Sequence, residues 1–162
     1  MGDMHSITFK FGDRTYNEVI EGNLELSELT PDQVKEALNR AVGKFAFYAS
    51  LRADAKRIEA KITTDFKVWE ADRFNQVKSE PDYKKETGKV IDNRVIIEYQ
   101  NEYLEHQRKI RDIAMITDKL YVLVQSFEMM TKTLQSVLAM LRAELGNVAQ
   151  GGPAKGEGDF AE

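Results

Sequence analysis

Lysines, arginines and aromatic residues alternate along the middle of this chain, and no other stretch is as suggestive chemically. Phe66-Lys67-Val68-Trp69 is followed by Arg73-Phe74, Lys78, Tyr83-Lys84-Lys85 and Lys89. Aromatic faces with cations beside them suit single-stranded nucleic acid, which offers unstacked bases and phosphates together. Upstream, Arg52, Lys56 and Lys67 fall within about 60° of one another on a helical wheel. Arg57 and Lys61 sit on the other flank, near Asp54 and Asp65. Those pairs have the spacing of ordinary surface ion pairs, so the same residues also describe a solvated, salt-laced face. Phe66 and Trp69 lie on an apolar stripe and suit a core as well as a platform.

Enzymatic chemistry finds little to stand on. The two histidines are His5, expected in an N-terminal tail, and His106, on an apolar seam between Tyr103 and Ile110. A core histidine explains His106 better than a metal ligand does. There is no cysteine, so neither a disulfide nor thiolate chemistry is available. No phosphate-binding glycine loop, paired zinc histidines or nucleophile elbow is present. A non-catalytic protein without metal or cofactor is expected.

The formal net charge of −4 argues against a simple basic nucleic-acid footprint. Its distribution says more. Residues 1–48 carry five Lys/Arg against eight Asp/Glu, residues 49–94 eleven against nine, and residues 95–162 seven against ten. Basic surface is concentrated in the middle. No apolar run approaches the ~18 residues of a membrane span, and no basic-then-apolar leader is visible, so a cytoplasmic location is expected.

The element that must position these residues is a long helix expected over 90–145. Its seam runs Ile96, Tyr99, Tyr103, His106, Ile110, Ile113, Thr117, Leu120, Val124, Phe127, Thr131, Leu134, Leu138, Leu141 and Leu145. Steps of four and three alternate without a slip, the pattern of a helix buried along its length. Thr117 and Thr131 on that seam either set register or bond back to their own helix. Gly146 is placed to end the helix in a left-handed cap.

An earlier helix is expected from Thr30-Pro31-Asp32-Gln33, a capping box with proline at the first helical position. It runs to about Lys78, with an apolar stripe of Val34, Leu38, Ala41, Phe45, Tyr48, Leu51, Ala55, Ile58, Ile62, Phe66 and Trp69. Ser79-Glu80-Pro81 ends it, and Thr87 or Asp92 caps the next. A short connection makes the two helices antiparallel neighbours. Before them, Ile7, Phe9 and Phe11 alternate with polar residues as a strand does. Gly12-Asp13 suits a type II′ turn to a second strand over 15–20, and Gly22-Asn23 allows a further short extended piece through Leu24 and Leu26. A lone hairpin is marginal in water and must pack on helices or on a neighbouring copy.

The fold expected is therefore mainly α: a long antiparallel, coiled-coil-like helical hairpin (30–146), an N-terminal β-hairpin (1–29) and a flexible acidic tail (147–162). Ile116, Leu123, Met130 and Val137 form a second stripe beside the seam. Two helices alone would leave it exposed, so association into a cyclic homo-oligomer is expected. Its contacts would be Ile110, Ile116, Leu120, Leu123, Phe127, Met130, Leu134, Val137 and Leu141.

The layout also resembles a known family. Tyr48-Ala49-Ser50-Leu51 and Arg57-Ile58-Glu59-Ala60 lead to Phe66-Lys67-Val68-Trp69, then Lys84-Lys85-Glu86-Thr87, Val90-Ile91-Asp92 and a final long helix. This order, over roughly 38–145, resembles the UvsY-like recombination mediators of tailed phages. The resemblance implies a non-enzymatic, closed helical oligomer that binds single-stranded DNA and helps a RecA-like recombinase displace single-strand-binding protein. The family's Lys-x-Arg segment late in the first helix maps to Lys67, with Trp69 where its arginine would stand, so Arg73 or Lys78 would have to supply that charge. A coiled-coil assembly or chaperone protein, or an inhibitor of a host protein, accounts for the helices equally well.

Overall fold

The computed structural model describes residues 4–21 and 29–150. In order, the elements are strands β1 (Met4–Phe11) and β2 (Arg14–Glu21) and helices α1 (Pro31–Ser79), α2 (Gly88–Glu98) and α3 (Gln100–Gln150). The fold is mainly helical, with a two-stranded antiparallel hairpin at the N-terminal end. The extended piece expected at Leu24 and Leu26, and the tail beyond residue 150, lie outside the described residues.

Helix α1 starts as its sequence dictates. The Thr30 hydroxyl accepts from the Gln33 amide, and the Thr30 amide donates to the Gln33 side chain at 2.8 Å. Two otherwise orphaned N–H groups are satisfied this way. Glu80, held extended before Pro81 (φ −67°, ψ 140°), ends the helix. Residues 80–87 turn the chain through two successive backbone bonds, Tyr83 N–H to Glu80 O and Glu86 N–H to Tyr83 O. Thr87 occupies the cap position of α2 without a side-chain cap bond.

The helices run antiparallel. Val34 and Ala41 pack with Leu134 and Leu138 at one end, and Tyr48 and Ala55 pack with Leu120, Val124 and Phe127 in the middle. At the bend, Val77 packs with Ile91 and Val95. The expected seam on α3 is buried or half-buried from Tyr99 to Leu141, while its end residues Ile96 and Leu145 are exposed. Both seam threonines bond back to their own helix, Thr117 to Ile113 O at 3.0 Å and Thr131 to Phe127 O at 2.8 Å. Ile58, assigned to the stripe of α1, is 39% exposed and lies at its edge.

Two expectations about the second helix are corrected. It is not continuous: Tyr99 (φ −107°, ψ 31°) separates α2 from α3. No glycine or proline marks the place. Tertiary contacts cluster there, with the Arg73 guanidinium over the Tyr99 ring and Glu102, just beyond the break, bonded to Trp69 and Arg73. Nor does Gly146 end α3. The helix continues to Gln150, and among the described residues the glycine with positive φ is Gly12, at +60°. Glycine permits a left-handed cap but does not impose one.

The hairpin turns where expected, with Gly12 first, and pairs Phe11 with Arg14 through to Met4 with Glu21. His5 lies in β1 opposite Ile20 rather than in a tail. The hairpin's inner face carries Ile7, Phe9, Phe11, Tyr16, Glu18 and Ile20, and these apolar side chains join the α1–α3 core. Phe9 is buried there. Buried Glu18 accepts a 2.6 Å hydrogen bond from the Tyr48 hydroxyl and is ion-paired with Lys44, both on α1. Lys119 on α3 donates to Thr8 O at 2.8 Å. The hairpin thus clamps both long helices, and it covers Ile116, Leu123 and Met130 within one copy of the chain.

Leu134 is fully buried and Val68 is 55% exposed. Leu134→Ala is therefore expected to cost about 2–5 kcal/mol in urea denaturation, and Val68→Ala under about 0.5 kcal/mol. Burial, followed by the bond to Glu18, raises the Tyr48 hydroxyl well above the usual tyrosine range. The neutral phenol is favoured in the folded chain, whereas the unfolded chain ionises near pH ~10. That stabilisation is present below pH ~10 and lost as pH rises beyond it. Tyr48→Phe should lower stability at pH 7 by about 1–3 kcal/mol, through the unsatisfied Glu18 oxygen. It should also flatten the alkaline decline, read as denaturation midpoints between pH 8 and 11.

Candidate nucleic-acid interface

The basic residues of the middle region divide by type. Each arginine is engaged within the chain. The Arg52 guanidinium lies over the Tyr121 ring at 4.6 Å, and Arg73 lies over Tyr99 at 4.4 Å. Arg94 lies over Tyr83 at 5.7 Å and pairs with Glu98 at 3.0 Å. Arg57 pairs with Asp54 at 3.1 Å. A planar, weakly hydrated guanidinium gains from stacking on an aromatic face and forfeits little hydration by doing so. Arg52, Arg73 and Arg94 thus brace the helical hairpin, whereas Arg57 pairs within its own helix.

The lysines are different. Lys56, Lys61, Lys67, Lys84, Lys85 and Lys89 are all exposed, and none of them joins an ion pair among the described residues. Lys78 is also exposed, its amine 5.7 Å from the Phe74 ring centroid. Lys56, Lys67 and Lys78 are eleven residues apart on α1. Eleven residues make about three turns, so they form one row roughly 33 Å long. Lys61 lies about 140° around the helix from Lys56 and stands apart from the row.

Beyond the end of the row, Lys84 and Lys85 occupy the connection, and Lys89 lies in the first turn of α2. That turn carries no acidic residue. A cation at a helix N-terminus opposes the helix dipole, so Lys89 adds positive potential without helping its helix. Glu80, Asp82 and Glu86 share the connection and temper the field.

Trp69 and Arg73 were expected at a DNA surface, and both have partners within the chain. The Trp69 indole donates to Glu102 Oε2 at 2.7 Å, and Arg73 Nη2 donates to the same oxygen at 2.9 Å. Trp69 stacks on Phe66 with ring centroids 5.8 Å apart, and the His106 ring lies 5.1 Å from Trp69. Tyr103 closes the group, 5.9 Å from Phe66. These half-buried rings join α1 to the start of α3, and His106 is part of that packing. The spacing between Trp69 and Glu102, 33 residues, lies beyond any local pattern.

The expected assembly residues are also placed differently. Leu120, Leu123 and Leu134 are fully buried in a single copy, and Phe127 is nearly so. Ile110, Ile116, Met130, Val137 and Leu141 are half-buried, most of them against the α1–α3 or hairpin core. The second stripe has its cover from α1 and β1, so its presence does not require another copy. Sequence reasoning missed a third face of α3, where Leu104, Met115, Val122, Met129 and Met140 are exposed.

No family model, characterised protein or solved structure matches this chain. Among the described residues no helix is long and apolar enough to cross a membrane.

Trp69 is the chain's one tryptophan, which makes its bond to Glu102 observable. The indole first, and Arg73 second, hold the Glu102 carboxyl below the ordinary carboxylate range. The contribution is present above the unfolded value near pH ~4.3 and is lost as pH falls through the lower folded one. Trp69 fluorescence should shift in that acid window while the helices are still folded, and Glu102→Gln should abolish the transition.

Proposed function

We propose that this chain is a non-catalytic single-stranded DNA-binding protein of the recombination-mediator type, acting as a homo-oligomer. Its role would be to help a RecA-like recombinase replace single-strand-binding protein on DNA. The observation that carries the reading is the set of exposed, unpaired lysines: Lys56 and Lys67 in a row on α1, then Lys84, Lys85 and Lys89 at the bend. Ammonium groups free of internal partners are the groups that can neutralise phosphates and release counterions. Five lysines tempered by nearby carboxylates make a weak site in one copy. Several copies around one strand raise the effective affinity steeply, which reconciles a net charge of −4 with polyanion binding. Mediation of this kind needs no bond made or broken; holding the strand in a favoured conformation shifts a binding competition. Trp69 and Arg73 support the shape of the hairpin and touch no DNA in this reading.

The exposed apolar face of α3 favours a second reading, an assembly protein without a nucleic-acid role, and one experiment separates the two. Fluorescence anisotropy with a labelled oligonucleotide should show binding that weakens as salt rises. Replacing Lys56, Lys67, Lys84 and Lys85 together by Ala should reduce the log–log salt slope by about three, at ~0.7 per phosphate contact. Affinity at low salt should fall more than tenfold, with helicity unchanged. Unchanged affinity in that variant would refute the site, and no binding at low salt would refute the function.

A further inference from the structure

A helix packed on one side places polar residues on the other, and α3 departs from that rule in an ordered way. Leu104, Met115, Val122, Met129 and Met140 are 54%, 53%, 47%, 70% and 63% exposed. On a straight helix of 3.6 residues per turn these five fall within about 40° of one another, on a line running some 55 Å. The hairpin is already in place beside them: Ser6, Ile7 and Thr8 of β1 line a shallow groove with Asp118, Lys119 and Val122. It leaves the line open.

The spacing of the line is symmetric. Met115 and Met129 lie seven residues before and after Val122, and Leu104 and Met140 lie eighteen before and after it. A symmetric row is what an isologous interface requires, because a two-fold axis sets each residue against its mirror position in number. We propose that α3 pairs antiparallel with α3 of a second copy of this chain, about a two-fold axis passing beside Val122. Val122 then meets Val122 of the second copy, Met115 meets Met129, and Leu104 meets Met140. Arg108 faces Ser136 between the outer and inner pairs. Methionine suits such a seam because its unbranched, polarisable side chain adapts to a facing copy of itself. Arg111 faces Thr133 between the same pairs, and at the rim Asp112 faces Lys132, an opposite-charge match. The lysine row of α1 stays outside the contact.

This inference rests on the assembly half of the function proposed above and not on DNA binding. It names a surface distinct from the Leu120–Leu123–Leu134 set first expected. The contact is apolar, so it should persist at salt concentrations that abolish DNA binding, which separates failure of one idea from failure of the other.

The chain has no cysteine, so single cysteines report the geometry directly. The full-length chain, without DNA and at tens of micromolar, should show at least a dimer mass by light scattering in high salt. Val122→Cys should form a disulfide-linked dimer on mild oxidation. Leu104→Cys alone should not, whereas a mixture of Leu104→Cys and Met140→Cys chains should. Val122→Glu, at an exposed helical position, should keep its helicity and reduce the mass by half or more. Mixing it with Val122→Lys should restore the larger species. A monomer mass for the unmodified chain would overturn the proposal, as would an associated chain in which Val122→Cys fails to cross-link. Self-linkage of Leu104→Cys as efficient as that of Val122→Cys would overturn it too, since it indicates parallel pairing.

Discussion

Burial of the α3 seam against α1 is the constraint on which the rest of the molecule depends. A 51-residue helix cannot hold its position through its own hydrogen bonds alone. It is fixed by Ile113, Leu120, Val124, Phe127, Leu134 and Leu138 packing against Val34, Ala41, Tyr48 and Ala55. Tyr48 is the junction of this packing. Its ring stacks on Phe127 with centroids 5.7 Å apart, and its hydroxyl donates to Glu18 on the hairpin. One side chain therefore ties the two helices to each other and the β-hairpin to both. Everything outside the seam is free to serve other ends because the seam holds the shape.

The same logic sorts the charged residues. Arginine and lysine carry the same charge, yet in the middle region Arg52, Arg73 and Arg94 stack on tyrosines while Lys56, Lys67, Lys84, Lys85 and Lys89 project into solvent. The difference follows from hydration: a guanidinium gives up water cheaply to lie on a ring, and an ammonium does not. A polyanion surface built on lysine thus coexists with a hairpin braced by arginine. Neither duty compromises the other.

The seam, the capping box at Thr30, the proline stop after Ser79 and the glycine-first turn of the hairpin were legible in the sequence. Each is set by residues within a turn or two of one another. The features that escaped depend on partners far apart in number. The bonds of Trp69 and Arg73 to Glu102 join residues about thirty positions apart. The break at Tyr99 has no breaker residue, and only tertiary contacts mark it. Leu123 read as an assembly contact because nothing in its own helix reveals that Phe9 of the hairpin belongs to the same core. The outer row of α3 was visible as letters, but its exposure could be known only after the hairpin's position was fixed.

Two faces of one scaffold carry the account: lysines on α1 and the bend for a polyanion, and the outer row of α3 for self-association. Lysine footprinting by acetylation and mass spectrometry, with and without single-stranded DNA, tests the central division in one measurement. DNA is predicted to shield Lys56, Lys67, Lys84, Lys85 and Lys89 and to leave Lys109 and Lys132 of α3 as reactive as before. Equal shielding of all these lysines, or shielding of the α3 pair alone, would contradict the account.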